Sequence, residues 1–128
     1  MKKDEIRAEI VESIKIAQTQ LGFTLVSEDW GGSRFSCSCA LGCVLAAHGI
    51  PISPVDQPNI EELARVLDVD DNWIGSFMNG FDVSPPEEKV NKEAFLLGKE
   101  INDEFKPVPA HLYMREWRKE QDRVASGD

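Results

Sequence analysis

The sequence predicts an all-α fold: five or six short helices packed around a buried central helix at about 37–48, in a single globular domain spanning 1–128. Three observations carry that prediction. The stretch Cys37-Ser38-Cys39-Ala40-Leu41-Gly42-Cys43-Val44-Leu45-Ala46-Ala47 holds no charge in a chain that is 29% charged, and a helix apolar on every side is normally buried on every side. Elsewhere the apolar residues recur mainly at helical spacing. Gly, Pro, Asn and Asp fall where such helices would start and stop.

Residues 3–21 read as the first amphipathic helix, with Ile6, Ile10, Val11, Ile14, Ala17 and Leu21 on the 3.6-residue period. Gly22 is its left-handed stop. Phe23-Thr24-Leu25-Val26 is β-like and Gly31-Gly32-Ser33 is turn chemistry, so a small β-hairpin near 23–36 can join this helix to the central one. Ser36 or Ser38 can cap the central helix, and Gly49 ends it. Within it Ser38, Gly42 and Ala46 recur every fourth residue, as do Cys39, Cys43 and Ala47. Such rows of small side chains let a neighbouring backbone come close. They explain Gly42, which otherwise costs about 1 kcal/mol relative to alanine in a helix interior.

Pro51, Pro54 and Pro58 stiffen an extended connection. Asn59 with Glu62 forms a capping-box-like start for a helix over 60–67. Asp70 or Asp71 caps a second short helix that ends at Gly80 and turns Trp73, Ile74, Phe77 and Met78 inward. After the Pro85-Pro86 break, Asn91 caps a helix with Ala94, Leu97, Ile101 and Phe105 as its buried stripe. Pro107 and Pro109 interrupt the chain again before a last helix at about 111–124.

A chain of 128 residues buries roughly two-thirds of its unfolded surface. No run approaches the roughly 20 apolar residues of a membrane span, and Met1-Lys2-Lys3-Asp4-Glu5 lacks a secretory pattern. Three cysteines within seven residues are no disulfide framework, so a reducing, cytoplasmic compartment is expected. The net charge is −9, and residues 60–104 hold twelve Asp and Glu against four Lys and Arg. Such a field repels phosphate backbones and anionic lipid, so neither nucleic acid nor membrane is an expected partner. The acidic segment is either a solvated face or one that meets a basic protein.

The cysteines admit three chemistries. Cys37, Cys39 and Cys43 are soft metal ligands, but zinc or an iron–sulfur cluster wants four converging groups. His48 lies roughly 140° around the helix from Cys43, so His111 or a carboxylate would have to complete the set. Buried cysteine acting as a small hydrophobe is the simpler account, and no metal or cofactor is expected. The third chemistry is nucleophilic. Trp30-Gly31-Gly32-Ser33-Arg34-Phe35-Ser36-Cys37-Ser38-Cys39 resembles the entry to the catalytic helix of papain-like cysteine hydrolases, and Val108-Pro109-Ala110-His111-Leu112-Tyr113-Met114 is similar to the strand bearing their base. That resemblance covers about seventeen residues. It implies Cys39 or Cys37 as nucleophile and His111 as base, with a β-sheet after the helix where 60–105 reads as helical.

Glu62-Leu63-Ala64-Arg65-Val66-Leu67-Asp68-Val69 through Ile74 to Met78-Asn79-Gly80 resembles the helix-turn-helix of phage-repressor-type regulators. The recognition helix implied by it carries Asp70 and Asp71 and neither Lys nor Arg, so it cannot make charged phosphate contacts. Asp68-x-Asp70-x-Asn72 opens like a calcium loop, but Trp73 stands where that loop needs glycine. These acids are better read as helix caps. Trp30, Tyr113 and Trp117 are candidate anchors for a protein partner, alongside Asp70 and Asp71. The reading that results is a small acidic cytoplasmic helical domain acting as a protein–protein interaction module, more binder than enzyme. Its alternatives are the cysteine hydrolase and an acidic DNA-mimic inhibitor.

Overall fold

A computed structural model describes residues 2–29, 31–32, 35–52, 60–86 and 88–125. The described residues form six helices and four short strands: α1 (Lys3–Thr19), β1 (Thr24–Ser27), β2 (Gly31–Gly32), β3 (Cys37–Ser38), α2 (Ala40–Ala47), α3 (Ile60–Leu67), α4 (Asp71–Phe81), α5 (Lys92–Phe105), β4 (Val108–Pro109) and α6 (Ala110–Ala125). The fold is therefore mostly helical but not all-α. The hairpin expected near 23–36, with 23–26 as its strand and Gly31-Gly32-Ser33 as its turn, is replaced by a different pairing. Gly31–Gly32 is itself a strand, β2, antiparallel to β3 with Gly31 opposite Ser38 and Gly32 opposite Cys37. To it β1 adds in parallel, Thr24 opposite Cys37, and β4 adds on the far side of β1, Val26 opposite Val108. The sheet order is β2-β3-β1-β4.

Of the stripe expected on α1, Ile6, Ile10, Ile14 and Ala17 are buried, Val11 is half-buried, and Leu21 lies past the helix end and is exposed. The chain leaves through Gly22 at φ 71°. The helix expected at 37–48 is shorter. Cys37 and Ser38 belong to β3, and Cys39 is the N-cap of α2, its Sγ accepting the Gly42 N–H at 3.3 Å. From Ala40 through Leu45 every residue is buried, and α2 packs on α1 and α3 in one core.

The tightest junction joins α4 to α5. Along α4, Trp73, Phe77 and Phe81 stack with ring centroids 5.5 and 6.2 Å apart. Asn91 N–H donates to Ser76 Oγ at 2.8 Å, and Asn102 Nδ2 donates to the Phe81 carbonyl at 2.7 Å. Residues climb α5 as they climb α4, so the two helices run in roughly the same sense. The segment between them returns along α4, and Asn72 Nδ2 holds the Lys89 carbonyl at 2.7 Å. Two glycines permit the approach. A Cβ on Gly80 would sit 2.0 Å from the Phe95 carbonyl oxygen, and one on Gly98 would sit 2.2 Å from that of Phe77.

The end of α4 holds a strained residue. Ser84 N–H bonds the Asn79 carbonyl and Val83 N–H bonds that of Gly80, the pair of bonds that closes a helix through a left-handed residue. Here that residue is Val83, at φ 57° and 64% exposed. A β-branched residue in this region is an outlier, and the left-handed conformation costs roughly 1–2 kcal/mol for an L-residue. Val83→Gly is therefore expected to raise stability by about 0.5–1 kcal/mol, after the extra chain entropy of glycine is set against the relieved strain. Urea unfolding would check it, and an unchanged or lower midpoint would show that the Val83 side chain holds something in place.

Candidate functional site

A groove of about 340 Å³ opens where three helices begin. Its apolar floor comes from Ile6 of α1, Val69 before α4, Trp73 of α4 and Leu97 of α5. Lys3, Asp68, Asp70, Asn91 and Glu93 supply its polar lining. Two of these are helix caps: Asp70 Oδ1 accepts the Trp73 N–H at 2.8 Å, and Asn91 Oδ1 accepts the Ala94 N–H at 3.1 Å. The capping bonds fix both side chains at the mouth, since each is tied to the first turn of a buried helix. Lys3 Nζ stands 4.0 Å from Glu93 Oε1. Asp71 is exposed in the first turn of α4, beside the groove rather than lining it.

The three thiols lie elsewhere and are free and buried. Burial pushes all three up in pKa. For Cys39 it outweighs the Gly42 and Leu41 amides, which act in the other direction, while Cys43 and Asp82 add to it. Cys43 is pushed up to about 12, against a hydrogen bond with Ser38 that lowers it. Cys37 rises through burial, with the Asp29 carboxylate adding to it and a Gly32 backbone bond opposing it. The expectation of a cysteine in the first turn of the central helix is corrected by this placement. Cys39 spends its sulfur on the cap, and a protonated thiol is a poor nucleophile and a poor metal ligand. Among the described residues no group of three or more His, Cys, Asp or Glu side chains is arranged to hold a metal ion.

His111 falls in the first turn of α6, with its ring 71% exposed and Nδ1 3.7 Å from Glu28 Oε2. Glu28 takes φ 70°, and its N–H donates to Asp82 Oδ1 at 2.8 Å. This bond ties the end of α4 to the end of β1. Burial raises the Asp82 pKa, the Glu28 N–H opposes the rise, and the carboxylates of Glu28 and Asp29 add to it. A carboxyl raised above its unfolded value favours the folded chain at low pH and loses that contribution as pH climbs through the folded pKa. Asp82→Asn keeps an acceptor for Glu28 and removes the charge. Its melting temperature should exceed wild type at pH 7 and match it near pH 4. A variant less stable than wild type at both values would mean that the charge itself is needed.

Of the aromatic anchors, Trp30 lies outside the described residues. Tyr113 and Trp117 are half-buried, and both are engaged within the chain. Tyr113 Oη donates to the Phe35 carbonyl, with the Ser36 carbonyl 3.4 Å away. Trp117 meets the Phe35 ring edge-on at a centroid distance of 5.0 Å. Together with Val26, Cys37 and Ala110 they hold α6 against the small sheet. The helix-turn-helix residues do form two consecutive helices, α3 and α4. Most of α4 is buried, however, and between 71 and 79 only Asp71, Asn72 and Gly75 are exposed.

The acidic segment is partly answered within the chain. Arg7 of α1 reaches Glu100 at 3.0 Å and Glu104 at 2.7 Å on α5. The structure thus draws Asp70 into a groove and separates it from Tyr113 and Trp117. The sequence shows Ile6, Trp73 and Leu97 only as core positions, and Val69 only within the run that resembles a helix-turn-helix. Asp70 and Asn91 were legible as caps, but nothing in the order of residues says that two capped helices begin at one place. Comparison of the chain with protein-family models, curated proteins and solved structures gives no match.

Proposed function

We propose that this protein is a protein–protein interaction module that receives a segment of its partner in the groove between α1, α4 and α5. The observation that carries the reading is the lining of that groove. An apolar floor with a few fixed polar groups around it is what a recognition pocket presents, and its volume suits one or two partner side chains. The cysteines then serve as packing and α2 as the buried axis of the domain. Three free thiols are in keeping with work in a reducing, cytoplasmic compartment. Among the described residues no helix is long and apolar enough to cross a membrane.

A random library of short peptides displayed on phage, selected on the immobilised protein, tests the reading. Lys3 lines the groove from an exposed position, so Lys3→Trp should fill it without disturbing the core. Selected peptides should bind wild type and lose about tenfold, or 1.4 kcal/mol, on the Lys3→Trp variant, whose melting temperature should stay near wild type. Failure to enrich any peptide, or enrichment indifferent to Lys3→Trp, would refute the groove as the binding site.

A further inference from the structure

We infer that Asn79-Gly80, near the end of α4, is a self-modification site that the packed helix pair holds closed. When α4 opens there, the Asn79 side chain cyclises onto the backbone, and the isoaspartate that results keeps α4 and α5 from closing again. The inference stands apart from the groove and from the interaction-module reading.

Of the five asparagines in the chain, only Asn79 precedes a glycine. An asparagine amide is attacked by the backbone nitrogen that follows it. A side chain on the next residue hinders that attack, so glycine, with no Cβ, leaves it freest. The Gly80 nitrogen bonds to Asn79 Cγ, the bond from Cγ to the side-chain nitrogen breaks, and ammonia leaves with the Gly80 proton. Solvent water then opens the five-membered imide at either carbonyl, giving aspartate or isoaspartate. A bulkier residue at 80 would suppress the reaction, but packing forbids one. Its Cβ would stand 2.0 Å from the Phe95 carbonyl oxygen.

The folded helix withholds what the attack needs. Gly80 is buried within α4, so its N–H is committed to the helix ladder. Helical ψ, about −42°, also keeps that nitrogen turned away from the Asn79 side chain. The protection is local, however. Asn79 is half-buried, and its carbonyl accepts the Ser84 N–H at 2.9 Å in the closing turn that runs through Val83 at φ 57°. Helix ends fray, and the strain at Val83 lowers the cost of opening this one. Isoaspartate carries the main chain through Cγ, which lengthens it by one C–C bond, about 1.5 Å, just before Gly80. With the Phe95 backbone already against Gly80, no space absorbs the insertion and the two helices must separate.

Prolonged incubation in warm, mildly alkaline buffer, with the chain folded or in guanidinium, tests the site. Peptide mass spectrometry and an isoaspartyl methyltransferase assay locate the product. In guanidinium Asn79 should deamidate well ahead of Asn72 and Asn102, which precede Trp73 and Asp103. In the folded chain it should be slower by about a hundredfold, because a packed helix end opens rarely. Asn79→Gln, which can cyclise only through a larger ring, should lose the product and melt near wild type. The isoaspartyl chain, purified and refolded, should melt about 10 °C or more below the unmodified one. No preference for Asn79 in guanidinium, or equal rates there in the folded and unfolded chains, would overturn the site. An isoaspartyl chain that melts with the unmodified one would overturn its effect on α4 and α5.

Discussion

Gly80→Ala is expected to destabilise the protein by about 3 kcal/mol or more, beyond the usual range for an added methyl group in a core. The reason is what the methyl would strike. Overpacked cores relax mainly by moving side chains, but the new Cβ would stand 2.0 Å from the Phe95 carbonyl oxygen, which is helix backbone. The only relief is for α4 and α5 to separate, and that would loosen Phe77, Phe81, Leu97 and Ile101 together. Gly98→Ala should behave alike, with its Cβ 2.2 Å from the Phe77 carbonyl. One separation of the helices relieves both clashes, so the double variant should lose clearly less than the sum of the singles. In a thermal melt each single should fall by about 10 °C or more. Gly75 is the control: it is exposed, with nothing near its Cβ position, and Gly75→Ala should be neutral or stabilising through helix propensity. A Gly80→Ala melt equal to that of Gly75→Ala would mean that the helices cross elsewhere.

The thiols carry the second large effect. Iodoacetamide at pH 8 should modify Cys39 and Cys43 more slowly than a free thiol by a factor on the order of a thousand, because the sulfurs become accessible only when α2 opens. Both are buried, and their raised pKa values leave little thiolate to react. Cys37 should react sooner than the other two, since β3 is only two residues long and needs less of the fold to open. All three should label at once in guanidinium. Mass spectrometry after timed quenching gives the three rates separately. Rapid modification of Cys39 near pH 6.5, slowed by His111→Ala, would contradict the burial and restore the cysteine-hydrolase reading.

Helices were legible where they write a stripe over two or more turns, as α1, α4 and α5 do, and where a capping residue marks the start, as on α4 and α5. Asp70 and Asn91 cap where the sequence places them. The sheet was not legible for the converse reason. A strand of two residues, such as Cys37–Ser38 or Val108–Pro109, is too short to show alternation. An uncharged run therefore absorbed β3 into the helix that follows it. Gly80 was readable as a helix stop but not as a contact, since its partner Phe95 lies on another element. The acids of α5 showed the same blindness. Glu100 and Glu104 read as part of an open acidic face until the fold sets Arg7 between them. The groove required knowing that three helix starts meet, a property of the tertiary arrangement that leaves no local pattern.

The pairing of β1 with β4 also shapes the order in which the chain assembles. Val26 and Val108 meet across 82 positions, whereas β2 and β3 close a loop of only a few residues. Closing the longer loop from an unstructured chain loses more entropy, by roughly 2–3 kcal/mol at about 0.6 kcal/mol per doubling of length. The α4–α5 unit, whose contacts are closer in sequence, can form before that closure. The β1–β4 ladder should then be absent from the rate-limiting step, so Val26→Ala would speed unfolding while leaving the refolding rate nearly unchanged. Stopped-flow refolding and unfolding of that variant would show it, and a slowed refolding arm would place the ladder in the nucleus instead. On this account the small sheet acts as a late clasp, joining the two ends of a chain whose helices are already in place.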